Sequence, residues 1–205
     1  MTISLIIKNR TKPQKDAKLK AVKKLLIISG SPKTLAEGSK TYQSCLMIQN
    51  LAQERFNTDF LSLGDHPLPT AKPEWHQNPF GKSVPAEVRE VALRFKQADA
   101  VILASPTYHG SYSSHIKNMI DIFHYDFLRS KNIGVITIGH GGAAILPATH
   151  LQDVIRTAYG QLCHTIICVD GVTDFDDNGK LIQSEVLKAR IENLLNELQV
   201  VESKK

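Results

Sequence analysis

ADAVILASPTYHGSYSSHIKNMIDIF, residues 98–123, decides how this chain folds. ADAVILAS (98–105) is a short apolar run suited to a strand buried on both faces, as strands of a parallel sheet are. SPTYHGSY (105–112) carries turn residues, and SSHIKNMIDIF (113–123) reads as a helix with Ser113 as its cap. Strand, loop and helix in that order form one half of a βαβ unit.

Outward from this unit the same alternation repeats. KLLIIS (24–29), TDFLSL (58–63), NIGVITIG (132–139) and LCHTIICVD (162–170) read as four further strands. Residues 39–55, 86–97, 143–159 and 183–198 carry apolar side chains at helical spacing. Residues 64–85 hold five of the nine prolines and the single tryptophan, Trp75, which argues against regular structure there. DFDDNGK (174–180) reads as a turn. Its aspartates lack the spacing of a calcium loop. Five strands alternating with five helices predict a parallel sheet covered on both faces, with right-handed crossovers. Ligands of such sheets bind beyond the carboxyl ends of the strands, so the loops after the first, third and fourth strands are where function is to be sought.

Composition narrows the class. With 42% hydrophobic and 22% charged residues in 205, the chain reads as one soluble globular domain. No apolar run approaches the ~18–20 residues that span a bilayer. The start, MTISLIIKNR, places its basic residues after a short apolar stretch, the reverse of an export signal. Cys45, Cys163 and Cys168 make no disulfide framework, and the latter two, five apart on one strand, face opposite ways. A reducing cytoplasmic setting is the expectation. The net charge of +5 is unevenly placed. Residues 1–24 hold eight Lys or Arg against Asp16, net +7, leaving 17 basic and 19 acidic residues, net −2, in the rest. Residues 1–23 therefore read as a solvated, partly disordered basic extension before a folded body at 24–199. No aromatic interleaves those charges, so neither a nucleic acid nor a membrane is expected as partner.

Three loops carry the chemistry. In the first, SGSPK (29–33) runs on to GSKT (38–41) at a helix start, where backbone N–H groups and a positive dipole end suit a phosphate. Ser31, Ser39 and Thr41 add hydroxyls, and Lys33 or Lys40 adds charge. No GxxxxGK[ST] pattern is present, so this is not a Walker loop. In the second, Pro106, Thr107, Tyr108 and His109 precede Gly110, and exposed aromatics there suit a flat heteroaromatic ring. In the third, Gly139, His140, Gly141 and Gly142 allow close backbone approach to a ligand. This partial GxGxxA follows the fourth strand rather than the first, which argues against a Rossmann dinucleotide domain.

Taken together these segments resemble the NADPH-dependent FMN reductase family of the flavodoxin-like superfamily, over about Lys24 to Leu198. ASPTYHGSYSSHIKNMIDIF (104–123) resembles the family's SPxYxGSxxGxxKNxID segment, GSPK…GS its GSxR…S phosphate loop, and GHGGA its glycine-rich loop. The resemblance implies a flavodoxin-like three-layer α/β/α sandwich with a five-stranded parallel sheet in the order 2-1-3-4-5. It implies FMN as cofactor and NAD(P)H as co-substrate. Ser31, Lys33, Ser39 and Thr41 would hold the phosphate; Pro106, Thr107, Tyr108 and His109 would line the ribityl chain and ring; Gly139, His140, Gly141 and Gly142 would approach the ring's polar edge. It also implies a homodimer or homotetramer; the apolar helix 113–123 and the Trp75 loop are candidate interface elements, since exposed aromatic patches tend to be covered.

The chain departs from the pattern in having Lys33 for arginine, four residues (34–37) before Gly38, Ser114 for glycine, and Ile122-Phe123 after the Ile-Asp pair. Hydride transfer is the cofactor's chemistry, so no catalytic acid or nucleophile is expected, and His109 and His140 read as polar loop contacts. Asp121 reads as a local cap or an interface residue, and His164 as structural. A small-molecule electron acceptor follows: a quinone, azo dye, metal oxyanion or biosynthetic intermediate, with residues 64–85 forming much of its pocket. The alternative is a non-enzymatic electron carrier or redox-sensing flavoprotein. Such carriers tend to be strongly acidic, and the body's −2 argues against that role.

Overall fold

All residues of KLLIIS after Lys24 are buried, as a central parallel strand requires. The computed structural model describes residues 22–124 and 127–200, so the extension lies outside the described residues except for its last two. The strands are β1 (Lys24–Ser29), β2 (Asn57–Ser62), β3 (Ala100–Pro106), β4 (Asn132–Gly139) and β5 (Gln161–Asp170). The helices are α1 (Lys40–Ala52), α2 (Ala86–Gln97), α3 (Ser114–Ile122), α4 (Ile145–Thr157) and α5 (Glu185–Val200). The strands form one all-parallel sheet in the order β2-β1-β3-β4-β5, as expected.

Two apolar cores lie on opposite faces of the sheet. One joins α2, α3 and α4 through Val88, Phe95, Ile116, Met119, Leu151 and Ile155. The other joins α1 and α5 through Cys45, Ile48, Ile191, Leu194 and Leu198. Cys163 belongs to the second and Cys168 packs on the first, so the two thiols do face opposite ways.

Caps set the helix starts. Ser39 accepts from Tyr42 N at 3.2 Å and Ser113 from Ile116 N at 3.2 Å. The β4–β5 register slips where Ile133 and Val135 face Leu162 and Ile166, two residues against four. Glu197 of α5 takes up the freed groups, accepting from the N–H of His164 and from the N–H and hydroxyl of Thr165. His164, at this irregularity, is exposed.

The proline-rich segment has one 3₁₀ turn, Pro73–Trp75. Trp75 is only 3% exposed and packs in the core with Val84 and Phe95. The indole closes the fold from inside and is not an exposed aromatic on the loop. Asn118 of α3 latches the segment, accepting from Ala71 N at 2.8 Å and donating to Pro69 O at 2.9 Å. Asp121 pairs with Lys117 one turn away, at 2.6 Å.

Candidate functional site

The carboxyl ends of β1, β3 and β4 open into a cleft of about 500 Å³. Nine of the twelve residues singled out from the sequence border it: Ser31, Lys33, Ser39, Thr41, Pro106, Thr107, Tyr108, Gly139 and His140. Gly38, Lys40, Ile138 and Ala143 complete the wall.

The β1 end is built from hydroxyls. Ser31, Ser39 and Thr41 are buried yet line the cleft. Ser31 Oγ accepts from Lys33 N at 3.0 Å, which curls the loop back on itself. The first-turn N–H groups of Lys40 and Thr41 have no acceptor within α1, so this end offers donors and a positive dipole to an anion. The additional residues 34–37 form a self-closed turn. Glu37 accepts from the N–H and hydroxyl of Thr34, and Thr34 Oγ1 accepts from Glu37 N. The backbone N–H of Thr34, then its hydroxyl, holds the Glu37 carboxyl below its usual range, against a small opposing effect of burial. The insertion thus folds onto itself. Lys40 Nζ donates to Gly171 O and lies 4.8 Å above the Phe175 ring, tying the start of α1 to the loop after β5.

The β3 loop is a two-residue hairpin turn. Tyr108 N donates to Ser111 O at 2.8 Å and Ser111 N to Tyr108 O at 2.9 Å. The central pair, His109 and Gly110, have φ of 48° and 74°, the positive values a primed turn requires. His109 therefore occupies the exposed tip, outside the cleft lining, while Tyr108 turns toward the cleft. Ser111 Oγ sits 3.0 Å from His150 Nδ1 of α4. Ser113 Oγ donates to Gly30 O at 2.6 Å, so the β1 and β3 loops are joined directly.

The β4 loop shows why glycine stands where it does. A Cβ on Gly139 would meet Ala144 N at 2.5 Å and Thr107 Oγ1 at 2.6 Å. Thr107 braces this point by donating from its hydroxyl and its N–H to Ile138 O, at 2.7 and 2.8 Å. Gly141 and Gly142, at φ 57° and 82°, face open space and lie outside the lining. Their N–H groups help hold the Asp170 carboxyl below its usual range, an effect led by Val172 N and Thr173 N. Sequence reasoning missed Asp170; its place at the end of β5, before a glycine, was the available signal.

The arrangement suits a long ligand with an anionic end at α1 and a flat polar ring between the β3 and β4 loops. Tyr108 in the cleft wall, and Ile145 and Leu146 at the start of α4, remain 43%, 54% and 49% exposed. Among the described residues no group of three His, Cys, Asp or Glu could hold a metal ion.

Comparison with known proteins gives relatives of one family and fold. A profile of the NADPH-dependent FMN reductase family matches residues 23–164. An FMN-dependent NADPH-azoreductase of Staphylococcus saprophyticus is 28% identical over 169 residues, spanning 80% of this chain and 87% of that protein. Its counterpart from Staphylococcus haemolyticus is 25% identical over 187 residues, spanning 83% and 94%. Among solved structures, the flavoenzyme NAD(P)H:(acceptor) oxidoreductase FerB of Paracoccus denitrificans superposes with a TM-score of 0.68 at 21% identity, covering 87% of this chain and 98% of that one.

Proposed function

The chain belongs to the NADPH-dependent FMN reductase family, and from that premise we propose that the cleft beyond β1, β3 and β4 is where it binds FMN and passes hydride onward from NAD(P)H. The enzyme class, the FMN cofactor and the NADPH co-substrate come with the family. The residue assignments are ours. Ser31, Ser39, Thr41 and Lys33 hold the phosphate; Pro106, Thr107 and Tyr108 flank the ribityl chain and ring; Gly139 and His140 meet the ring, with Gly141 and Gly142 shaping the loop behind them. His109, at the turn tip, positions Tyr108 through the backbone. The observation that carries this reading is the single cleft joining a hydroxyl-lined helix start to the β3 and β4 loops.

The flavin, when bound, supplies the two-electron chemistry. The protein supplies the rest. The start of α1 anchors the phosphate, Tyr108 covers a ring face and excludes water, and the glycine at 139 lets backbone lie against the ring edge. No side chain need donate or abstract a proton for hydride transfer itself.

The exposed Tyr108 in the cleft wall favours a flat aromatic acceptor, and the relatives' naming as azoreductases makes azo compounds the first to try. The electron-carrier alternative is disfavoured by a body of net charge −2, since such carriers tend to be strongly acidic. We further propose a folded reductase body over 24–199, a cytoplasmic location, and a homo-oligomer. No helix among the described residues is long and apolar enough to cross a membrane. The surface for self-association is the apolar groove of about 440 Å³ lined by Ile120, Phe123, Phe127 and Val154.

Ser39→Asp is the direct test of the cleft. Aspartate caps a helix as well as serine does, so α1 keeps its start, while its charge opposes a phosphate. FMN affinity should fall by more than about tenfold, with riboflavin affinity little changed. An FMN affinity unchanged by Ser39→Asp places the phosphate elsewhere. NADH and NADPH oxidation against a panel of azo, quinone and flavin acceptors then identifies the physiological pairing.

A further inference from the structure

We infer that Glu37 sets how firmly this cleft holds the phosphate of FMN: its carboxylate is a resident anion in the phosphate loop, competing with the ligand for Thr34 and Lys33 and keeping FMN exchangeable. This rests on the cleft being the FMN site, as proposed above.

Residues 34–37 stand between Lys33 and Gly38, both of which line the cleft. Their turn uses up donors that a loop before a helix would offer an anion. Lys33 N donates to Ser31 Oγ at 3.0 Å and Thr34 N to Glu37 Oε2 at 2.8 Å. Gly38 N donates to Leu35 O at 3.0 Å and Ser39 N to Thr34 O at 3.2 Å. The Thr34 hydroxyl donates to the same Glu37 oxygen at 3.0 Å. One carboxylate oxygen thus takes both donors of Thr34, the charge-assisted contacts that a ligand oxyanion makes to a loop of this kind.

The charges tell the same story. Two lysines, Lys33 and Lys40, line the cleft. Lys40 Nζ is committed to Gly171 O and the Phe175 ring, which leaves Lys33 as the wall's lysine for a phosphate. The Thr34 N–H and then its hydroxyl lead in holding the Glu37 carboxyl below its usual range, and the charge of Lys33 adds to them against burial. Lys33 therefore already has one anion within electrostatic reach. The phosphate of FMN brings about −1.5 to −2 more at neutral pH. Glu37 is tethered beside the lysine, so the repulsion falls on the ligand. Solvent and salt screen an exposed carboxylate, and the cost to the phosphate is on the order of threefold to tenfold in affinity. Riboflavin, with the same ring and ribityl chain but no phosphate, escapes it.

The experiment titrates FMN and riboflavin, by quenching of flavin fluorescence, into the unaltered protein, Glu37→Gln and Ser39→Asp. Glutamine keeps an oxygen to accept from Thr34 and removes only the charge. In Glu37→Gln, FMN affinity should rise about threefold to tenfold while riboflavin affinity stays within about twofold. The gain should shrink as salt is raised from about 0.05 to about 0.5 M. An FMN affinity unchanged or lowered by Glu37→Gln overturns the assignment, since a carboxylate that only folds the loop would support binding. An equal rise for riboflavin, or a gain indifferent to salt, overturns it as well. If the unaltered protein fails to bind FMN, or Ser39→Asp leaves FMN affinity unchanged, the cleft reading itself falls and this inference falls with it. If Ser39→Asp weakens FMN binding and Glu37→Gln does not strengthen it, this inference alone falls.

Discussion

Replacing Tyr108 by alanine separates a ligand-facing aromatic from a structural one. The side chain is 43% exposed, so removing it uncovers little area that the flavin-free fold had buried. The turn around it is held by backbone bonds, Tyr108 N to Ser111 O at 2.8 Å and Ser111 N to Tyr108 O at 2.9 Å, and alanine keeps both. The flavin-free protein should therefore lose no more than about 0.5 kcal/mol, roughly 1–2 °C in melting temperature for a chain of this size. Flavin binding should suffer more. An aromatic contact is worth about 1 kcal/mol beyond the area it covers, and with that area the loss comes to roughly tenfold in affinity. Tyr108→Phe keeps the ring and should stay within about threefold. FMN fluorescence quenching and a thermal melt on the same preparation measure both quantities. Unchanged FMN affinity with a melting temperature lowered by more than about 4 °C would make Tyr108 a structural residue and refute the placement of the ring.

Gly139→Ala should cost about 1–3 kcal/mol and weaken FMN binding, because its Cβ would meet Ala144 N at 2.5 Å, a backbone atom that cannot swing aside. Gly141→Ala, with open space but φ 57°, should cost only about 1–2 kcal/mol; urea denaturation of both variants tests the order, and the reverse ranking counts against the argument. Glu197→Gln should lose about 1 kcal/mol at neutral pH. Burial acts to raise the Glu197 carboxyl, but the hydroxyl and N–H of Thr165 and the N–H of His164 outweigh it and hold the group below its usual range. That stabilisation is complete above the ordinary glutamate value of about 4.3 and is lost as pH falls through the lowered one, so the urea midpoints of parent and variant should converge as the solution is acidified below that value. Deleting residues 1–22 should leave flavin affinity unchanged; a loss would make the extension part of the reductase body.

How far the sequence reaches can be seen in two of its loop histidines, His109 and His140. The strands were legible because a parallel sheet covered on both faces demands continuous apolar runs, and KLLIIS and NIGVITIG are such runs. The helix starts were legible because Ser39 and Ser113 are cap residues standing before apolar periodicity. The strand order came from family resemblance, since nothing in a run of valines and isoleucines says which neighbour it takes. The burial of Trp75 was not legible, because proline content announces an irregular segment without saying which way its side chains turn; the latch by Asn118 and the packing with Val84 and Phe95 decide that. His109 and His140 show the same limit within the site. Both follow the end of a strand and both stand before a glycine, so composition treats them alike. At 109 a positive φ of 48° closes a two-residue turn and sends the imidazole to the exposed tip. At 140 the backbone stays in the ordinary region, and the absence of a Cβ thirty-one residues on, at Gly171, leaves a bed for the ring. Which loops meet is written in local pattern; where each imidazole comes to rest is decided by one dihedral angle and one distant glycine.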